Sequence, residues 1–553
     1  MRLKRFFWIA SSTVLLIISP PFQLNVPVPF AESPAVAQTR SRDERMSEAS
    51  RLFRLGSDQL DNGNYETALD TFPKALAIFR ELGERLDEGR TLNKIGEVYE
   101  KQKQYGKALE LFQQALAIAK EIRHKALEAV SLHNIGEVYD DQTQYAKALE
   151  SYQQALAITK EIKDKGLEAT ILHNIGEVYG QQVQYAKALE AYQQALAIRI
   201  ELNSESKAGL TLTSLGGIYG KLGQYDKALE SYQQAFALFK ENKDKRGEFL
   251  ALYTIGEVYN EQDKYKEALE SYQQALAIIK QISFKAGEAA TLNKIGKVYV
   301  KLKQYPKALE FYQQALAIAK EIHDKKLEVT TLHTIGEVYN KQAQYDKALS
   351  SYQQALGITK EIKDKGLEAT TFHNIGEVYQ DQAQYAKALE AYQQALAIRK
   401  ELDYKSRAGL TLISIGDIYG KLKQYAKTLE SYQQAFAFFK DNDDKRGESG
   451  ALYKIGEAYE KLEQYPKALE SYQEALVILK QINEKAAAAK TLEKIGAVYE
   501  KLKQYPKAIE SYQKALAIAK EISDKALEAK IVTQIEKLSN NQAQYDKALE
   551  FYQ

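Results

Sequence analysis

Along most of the chain, apolar and polar positions follow the periodicity of paired amphipathic helices. In residues 132–155 the recurring core positions are Leu132, Ile135, Gly136 and Tyr139, then Ala148, Tyr152 and Ala155. Offsets of three, four and seven put each set on one helical face, which predicts two helices in succession. The polar stretch Gln142-Thr143-Gln144-Tyr145 separates them. Pro306, Pro466 and Pro506 each follow the tyrosine of such a break. Proline is favoured in the first turn of a helix, so the second helix begins there. Lys163-Asp164-Lys165 closes the unit.

The unit repeats. Glycine returns every 40 residues from Gly56 through Gly96 and Gly136 to Gly496, and a thirteenth unit follows with Glu536 in the glycine column. A period of this size predicts stacked supersecondary units. The small columns have steric reasons: Gly136 and Ala148 let paired helices approach, and Ala155 leaves room for the next pair. Of 38 tyrosines, 35 fall in three fixed columns, those of Tyr139, Tyr145 and Tyr152, and are read as core. A longer period overlies the first. Residues 151–200 and 351–400 agree at 43 of 50 positions, whereas the adjacent units 131–170 and 171–210 agree at 24 of 40. A five-unit block at 101–300 is therefore duplicated at 301–500 and begun again at 501. Both ends depart from the pattern, with Gln59 and Pro73 in the first unit and Glu536 and Ser539 in the last, as expected of units with one neighbour.

The run Leu92-x2-Ile95-Gly96-x2-Tyr99…Ala108-x3-Phe112 resembles the tetratricopeptide repeat across about 500 residues, from near Ser50 to the end. Leu stands where the family has Trp, and the family's closing Pro is missing. The 40-residue period is similar to the long-repeat subtype of kinesin light chains and bacterial regulatory arrays. The resemblance implies an all-α, right-handed superhelical solenoid of thirteen helix-turn-helix units. It also implies a concave groove, lined by the first helices, that holds a peptide or helix of a partner protein. The matching columns are those of His133, Asn134, Glu137, Asp140 and Asp141, which vary between units while the core columns do not. The duplication would copy the binding strip. One strip holds His133, Asn134, Glu137, His173, Asn174, Glu177 and Tyr253; the other holds His333, Glu337, His373, Asn374, Glu377 and Tyr453. Tyr253 and Tyr453 lie outside the tyrosine columns and are expected as exposed aromatic anchors. The carboxylates favour a basic partner segment, and the amide and imidazole groups suit its backbone. The family's clamp for chaperone tails needs Lys in the His133 column and Asn in the Glu137 column, and neither occurs here.

Composition narrows the function. Lys and Arg total 76 against 74 Asp and Glu; the first 37 residues hold Arg2, Lys4, Arg5 and Glu32, so the remainder carries 73 of each. That balance lacks the basic footprint of a nucleic-acid protein. The absence of cysteine excludes disulfides, thiolate catalysis and zinc–thiolate sites. His124 and His323 fall in loops and the other four histidines share one column, with no ligand-bearing spacing around them. No nucleotide loop or nucleophile elbow occurs, so the chain reads as a non-enzyme without metal or cofactor. Arg2, Lys4 and Arg5, the apolar run Phe6 to Ser19, and Ala35-Val36-Ala37 read as an export signal over 1–37. A polar linker at 38–49 and an array at 50–553 follow. The leading expectation is an exported protein-interaction scaffold, periplasmic or extracellular and bound to no membrane beyond its signal. The alternatives are the sensor arm of a CHAT-type peptidase lying beyond Gln553, which the resemblance suggests, and an envelope-assembly protein.

Overall fold

A computed structural model describes residues 42–552, of which the side chains of 540–552 are left aside; the segment 1–37 read as an export signal lies outside the described residues. The described residues form 25 α-helices and no strand. They divide into two compact arrays, ending and beginning at Phe284 and Lys285. The first array contains α1 (Arg42–Asp61), α2 (Tyr65–Leu82), α3 (Arg85–Lys101), α4 (Tyr105–Glu121), α5 (Lys125–Asp141), α6 (Tyr145–Ile162), α7 (Lys165–Gln181), α8 (Tyr185–Glu201), α9 (Glu205–Lys221), α10 (Tyr225–Glu241), α11 (Lys245–Glu261) and α12 (Tyr265–Gln281). The second contains α13 (Lys285–Lys301), α14 (Tyr305–Glu321), α15 (Lys325–Lys341), α16 (Tyr345–Glu361), α17 (Lys365–Asp381), α18 (Tyr385–Glu401), α19 (Lys405–Lys421), α20 (Tyr425–Asp441), α21 (Lys445–Lys461), α22 (Tyr465–Gln481), α23 (Lys485–Lys501), α24 (Tyr505–Glu521) and α25 (Lys525–Tyr552). Helix α1 already covers residues 42–49, which the sequence suggested as polar linker.

Each helix pair is held by the columns expected. A Cβ on Gly136 would lie 2.5 Å from the Tyr152 ring, and the same collision recurs at each glycine of the column in the twelve formed pairs. Glycine therefore lets an aromatic ring lie directly on the first helix. Tyr152, Ala148 and Ala155 are at most 1% exposed. The other two tyrosine columns differ from expectation. Tyr139 and Tyr145 are half-buried, and Lys147 places its ammonium 5.3 Å from the Tyr139 ring centre. A lysine stem shields the solvent side of that ring.

The loops between pairs are two or three residues long, and each turn holds a left-handed residue, as at Lys163 with φ 58°. Asp164 offsets that cost by capping α7, its carboxylate accepting from Leu167 N–H at 3.0 Å. His124 does the same for α5 through Nδ1, 3.1 Å from Leu127 N, so this loop histidine is a cap. Pro306, Pro466 and Pro506 do open second helices. Pro73 is accommodated inside α2.

The thirteenth unit departs from the helix-turn-helix expectation: α25 runs unbroken through Gln542-Ala543-Gln544-Tyr545. The same Gln-Ala-Gln-Tyr sequence breaks at 342–345 and 382–385, so the tetrapeptide alone does not dictate the turn. A left-handed alanine is unfavourable by itself and persists where packing of the second helix compensates. Glu536 fills the column in which glycine admits the aromatic ring, which removes that compensation.

Candidate functional site

Within each array the first helices of successive pairs also touch one another, α3 against α5, α5 against α7, and likewise α15 against α17 and α19 against α21. Second helices approach one another less closely, so the first helices form the inner face, as the resemblance implied. Side chains about 40 residues apart bridge this face. Asn174 donates from Nδ2 to His133 Nε2 at 3.0 Å and lies 3.5 Å from Glu137 Oε1. His333 Nε2 bonds Thr371 Oγ1 at 2.8 Å, and Lys454 reaches Asp417 at 3.1 Å.

The proposed strip residues all lie on this face, but deeper than expected. His133 and Asn134 on α5 are buried, 8% and 5% exposed. His173, Asn174 and Glu177 on α7, His333 on α15 and His373 and Asn374 on α17 are half-buried; Glu337 and Glu377 are exposed and Glu137 is intermediate. Tyr253 and Tyr453 are not the free-standing exposed anchors expected. Each is half-buried and leans against an interior ring, Tyr253 edge-on to Tyr272 at 5.7 Å and Tyr453 tilted on Tyr472 at 5.4 Å. Burial pushes the Tyr453 hydroxyl up to about 12. The histidines do the same, with His133 5.8 Å from Tyr152 and His373 5.0 Å from Tyr392. The reason was present in the spacing. This column precedes the glycine column by three residues, so it shares the face on which the ring rests.

Between α3, α5 and α7 the inner face is strongly acidic. Glu97 and Glu100, then Glu137, Asp140 and Asp141, then Glu177 converge there, with Lys94 pairing Glu97 at 2.7 Å and Lys101 pairing Glu100 at 3.1 Å. Burial, reinforced by repulsion from Glu137 and Asp141, lifts Glu100 to about 8. Burial together with Glu177 and its neighbours lifts Asp140 to about 7. Glu97 and Glu177 are raised in the same sense, again chiefly by burial. One oxygen of Asp140 and the Nδ2 of Asn134 are buried without a partner. The duplicated copy lost this character: Lys297, Val300, Asn340 and Lys341 replace Glu97, Glu100, Asp140 and Asp141. The two strips are thus unlike in charge.

Glu100 falls in the Asp140 column named from the sequence but was not singled out in either strip, and Arg199 was missed altogether. Arg199 rises from α8 into the seam between α7 and α9, 6% exposed and with no carboxylate bonded to it. Arg399 repeats it. Their column otherwise holds Ala, Thr, Ile, Leu or Phe; a charge in an apolar column was the available signal. Among the described residues no three His, Asp or Glu side chains are gathered as metal ligands, and no helix is long and apolar enough to cross a membrane.

Stacked helix pairs with a polar, laddered inner face in each array define the class: an α-helical repeat protein. The tetratricopeptide repeat pattern matches residues 46–121, 127–201, 207–281 and 287–361, then overlapping segments from 327 to 521. The chain belongs to the tetratricopeptide repeat family. Solved structures that match the chain include BtubC from P. vanneervenii, 18% identical over 40% of this chain and 92% of that one, with a TM-score of 0.36. RapI in its apo form is 19% identical over 50% of this chain and 99% of its own, with a TM-score of 0.40. A signal-transduction ATPase with a tetratricopeptide repeat sensor, from Pyrococcus horikoshii, is 19% identical over 68% of this chain, with a TM-score of 0.42; the match spans 54% of that protein. No curated protein matches the chain.

Proposed function

We propose that the chain is a non-catalytic, exported scaffold that holds a segment of a partner protein against the inner face of its first helices. The α3–α5–α7 strip takes the Lys- or Arg-bearing part of that segment. The observation supporting this is the set of six carboxylates gathered on the inner face, five of them raised by burial and two of those lifted to about 7 and about 8. Lys94 and Lys101 leave the six carboxylates in excess, so an incoming cation supplies further counter-charge and drives off the protons they hold. Binding should therefore release protons near neutral pH and weaken with salt.

The test is calorimetric titration of the full chain with an acetylated, amidated peptide of alternating Lys and Thr, in two buffers of different ionisation enthalpy. The matching variant combines Glu97→Lys, Glu100→Val, Asp140→Asn and Asp141→Lys, the residues that the second copy carries. Peptide binding with proton release in the parent, lost in the variant, is expected. Equal binding by both would refute the assignment. Export over residues 1–37 is part of the same proposal, and N-terminal sequencing of secreted protein should begin at Gln38.

A further inference from the structure

His133, His173, His333 and His373 share one column, yet their rings are held in different ways. His133 uses both nitrogens inside the protein: Nδ1 faces the Asn134 side-chain oxygen at 3.3 Å, and Nε2 accepts from Asn174. A carbonyl oxygen only accepts, so His133 carries its proton on Nδ1. His333 spends its Nε2–H on Thr371, whose own hydroxyl proton goes to the Leu367 carbonyl at 2.8 Å.

His173 and His373 reverse the arrangement of His133, and among the described residues no protein acceptor lies within hydrogen-bond distance of Nε2 as Thr371 does for His333. Arg199 Nη1 lies 3.4 Å from His173 Nδ1, and Arg399 Nη1 lies 3.5 Å from His373 Nδ1. A guanidinium has only donors and its positive charge disfavours an N–H aimed at it, so each Nδ1 turns its lone pair toward it and each Nε2 carries the proton; Thr211 Oγ1 also lies 3.5 Å from His173 Nδ1. The guanidinium is fixed in turn. Arg199 Nη1 donates to the Lys207 carbonyl at 2.9 Å and to the Thr211 hydroxyl, which passes its own proton to Lys207 O at 3.1 Å. Arg399 repeats this with the Arg407 carbonyl at 3.0 Å and with Thr411. The ring is also held from the side, by Tyr192 at 5.1 Å and Tyr392 at 5.0 Å.

At His373 the Nε2 edge lies beside an exposed carboxylate. Glu377, one turn further along α17 with its side chain 54% exposed, has Oε1 3.7 Å from His373 Nε2. We infer that Arg199 and Arg399 are positioning residues that lock His173 and His373 as neutral Nε2–H donors on the inner face. Each forms, with Glu177 or Glu377 one turn away, a donor–acceptor couple for a backbone peptide group of the bound segment. The ligand half of this inference rests on the scaffold reading above; the lock does not.

The groups facing each ring agree with the assignment. Arg199 and Tyr192 come from α8, Thr211 from α9 and Glu177 from the same helix; their counterparts are Arg399, Tyr392, Thr411 and Glu377. Burial, helped by the adjacent guanidinium, drives both histidines down to about 3. The couple therefore keeps its hydrogen-bonding sense throughout the physiological pH range. Both halves of the duplication retain it, including Arg, Thr and Glu, although the acidic strip beside the first copy was lost from the second.

The experiment is nuclear magnetic resonance of the full chain labelled with 13C and 15N at histidine, assigned with single substitutions and titrated from about pH 8 to about pH 5. Arg199→Thr and Arg399→Thr are the variants, because the array already accommodates Thr159 and Thr359 fully buried in that column. His173 and His373 should show the Nε2–H tautomer and fail to titrate in the parent. In the Thr variants, with helical circular dichroism retained, they should mix tautomers and begin to protonate, while the His133 spectrum matches the parent's at every pH. An Nδ1–H tautomer at either site in the parent, or unchanged tautomers and titration in the Thr variants, overturns the lock. Adding the Lys–Thr peptide to the parent should shift the Nε2–H signals of His173 or His373. A bound peptide that leaves both unmoved overturns the ligand half, and a peptide that does not bind at all counts against the scaffold reading while the lock stands on the free-protein spectra.

Discussion

Replacing Glu100 with Gln and Asp140 with Asn should stabilise the α3–α5 region, and should do so more as pH rises. Both carboxyls bind protons more tightly in the folded chain than in the unfolded one. Between about pH 4 and about pH 8 the folded state therefore holds more protons, and stability falls as pH increases. For Asp140, about 7 when folded against about 3.9 free is roughly three units, or roughly 4 kcal/mol at about 1.4 kcal/mol per unit. Glu100, at about 8 against about 4.3, corresponds to roughly 5 kcal/mol by the same conversion. The two share repelling neighbours, and Lys101 offsets part of the cost, so the contributions overlap. A combined gain of roughly 3–5 kcal/mol above about pH 8 is expected, shrinking below roughly 1 kcal/mol near pH 4. Repeat arrays can open piecewise, so a local probe is required. Hydrogen exchange of peptides from α3 to α6, corrected for intrinsic rate, compares the double variant with the parent across this range. The second copy folds with Val300 and Asn340 at these positions, so the substitutions are compatible with the scaffold. A stability difference that is constant with pH, or that grows as pH falls, would refute the reasoning.

Two further outcomes follow from the packing. Gly136→Ala would drive a Cβ to 2.5 Å from the Tyr152 ring and should cost roughly 1–3 kcal/mol through overpacking; faster exchange in α5 and α6 measures it, and unchanged protection would contradict the close-approach argument. Tyr253→Ala and Tyr453→Ala, removing half-buried rings seated on Tyr272 and Tyr472, should each lose roughly 2–4 kcal/mol of local stability; thermal melts showing no loss would return these rings to the role of free surface anchors.

Periodicity alone determined the helical repeat, the register of its columns, the site of each break in the twelve formed pairs and the 200-residue duplication. These are one-dimensional properties, because each pair packs only on its neighbours and its contacts recur at fixed offsets. What the spacing left open required the third dimension. Whether a column at the edge of the glycine face is surface or seam depends on how closely the next pair approaches, and that approach set Asn174 against His133. The break at 542–545 was lost in α25 because a turn depends on the packing it permits, not on Gln-Ala-Gln-Tyr itself. The opposite tautomers of His133 and His173 were least legible of all. Identical residues in one column differ because Arg199, 26 positions away, enters the seam from another helix, and only the fold brings its charge beneath the ring.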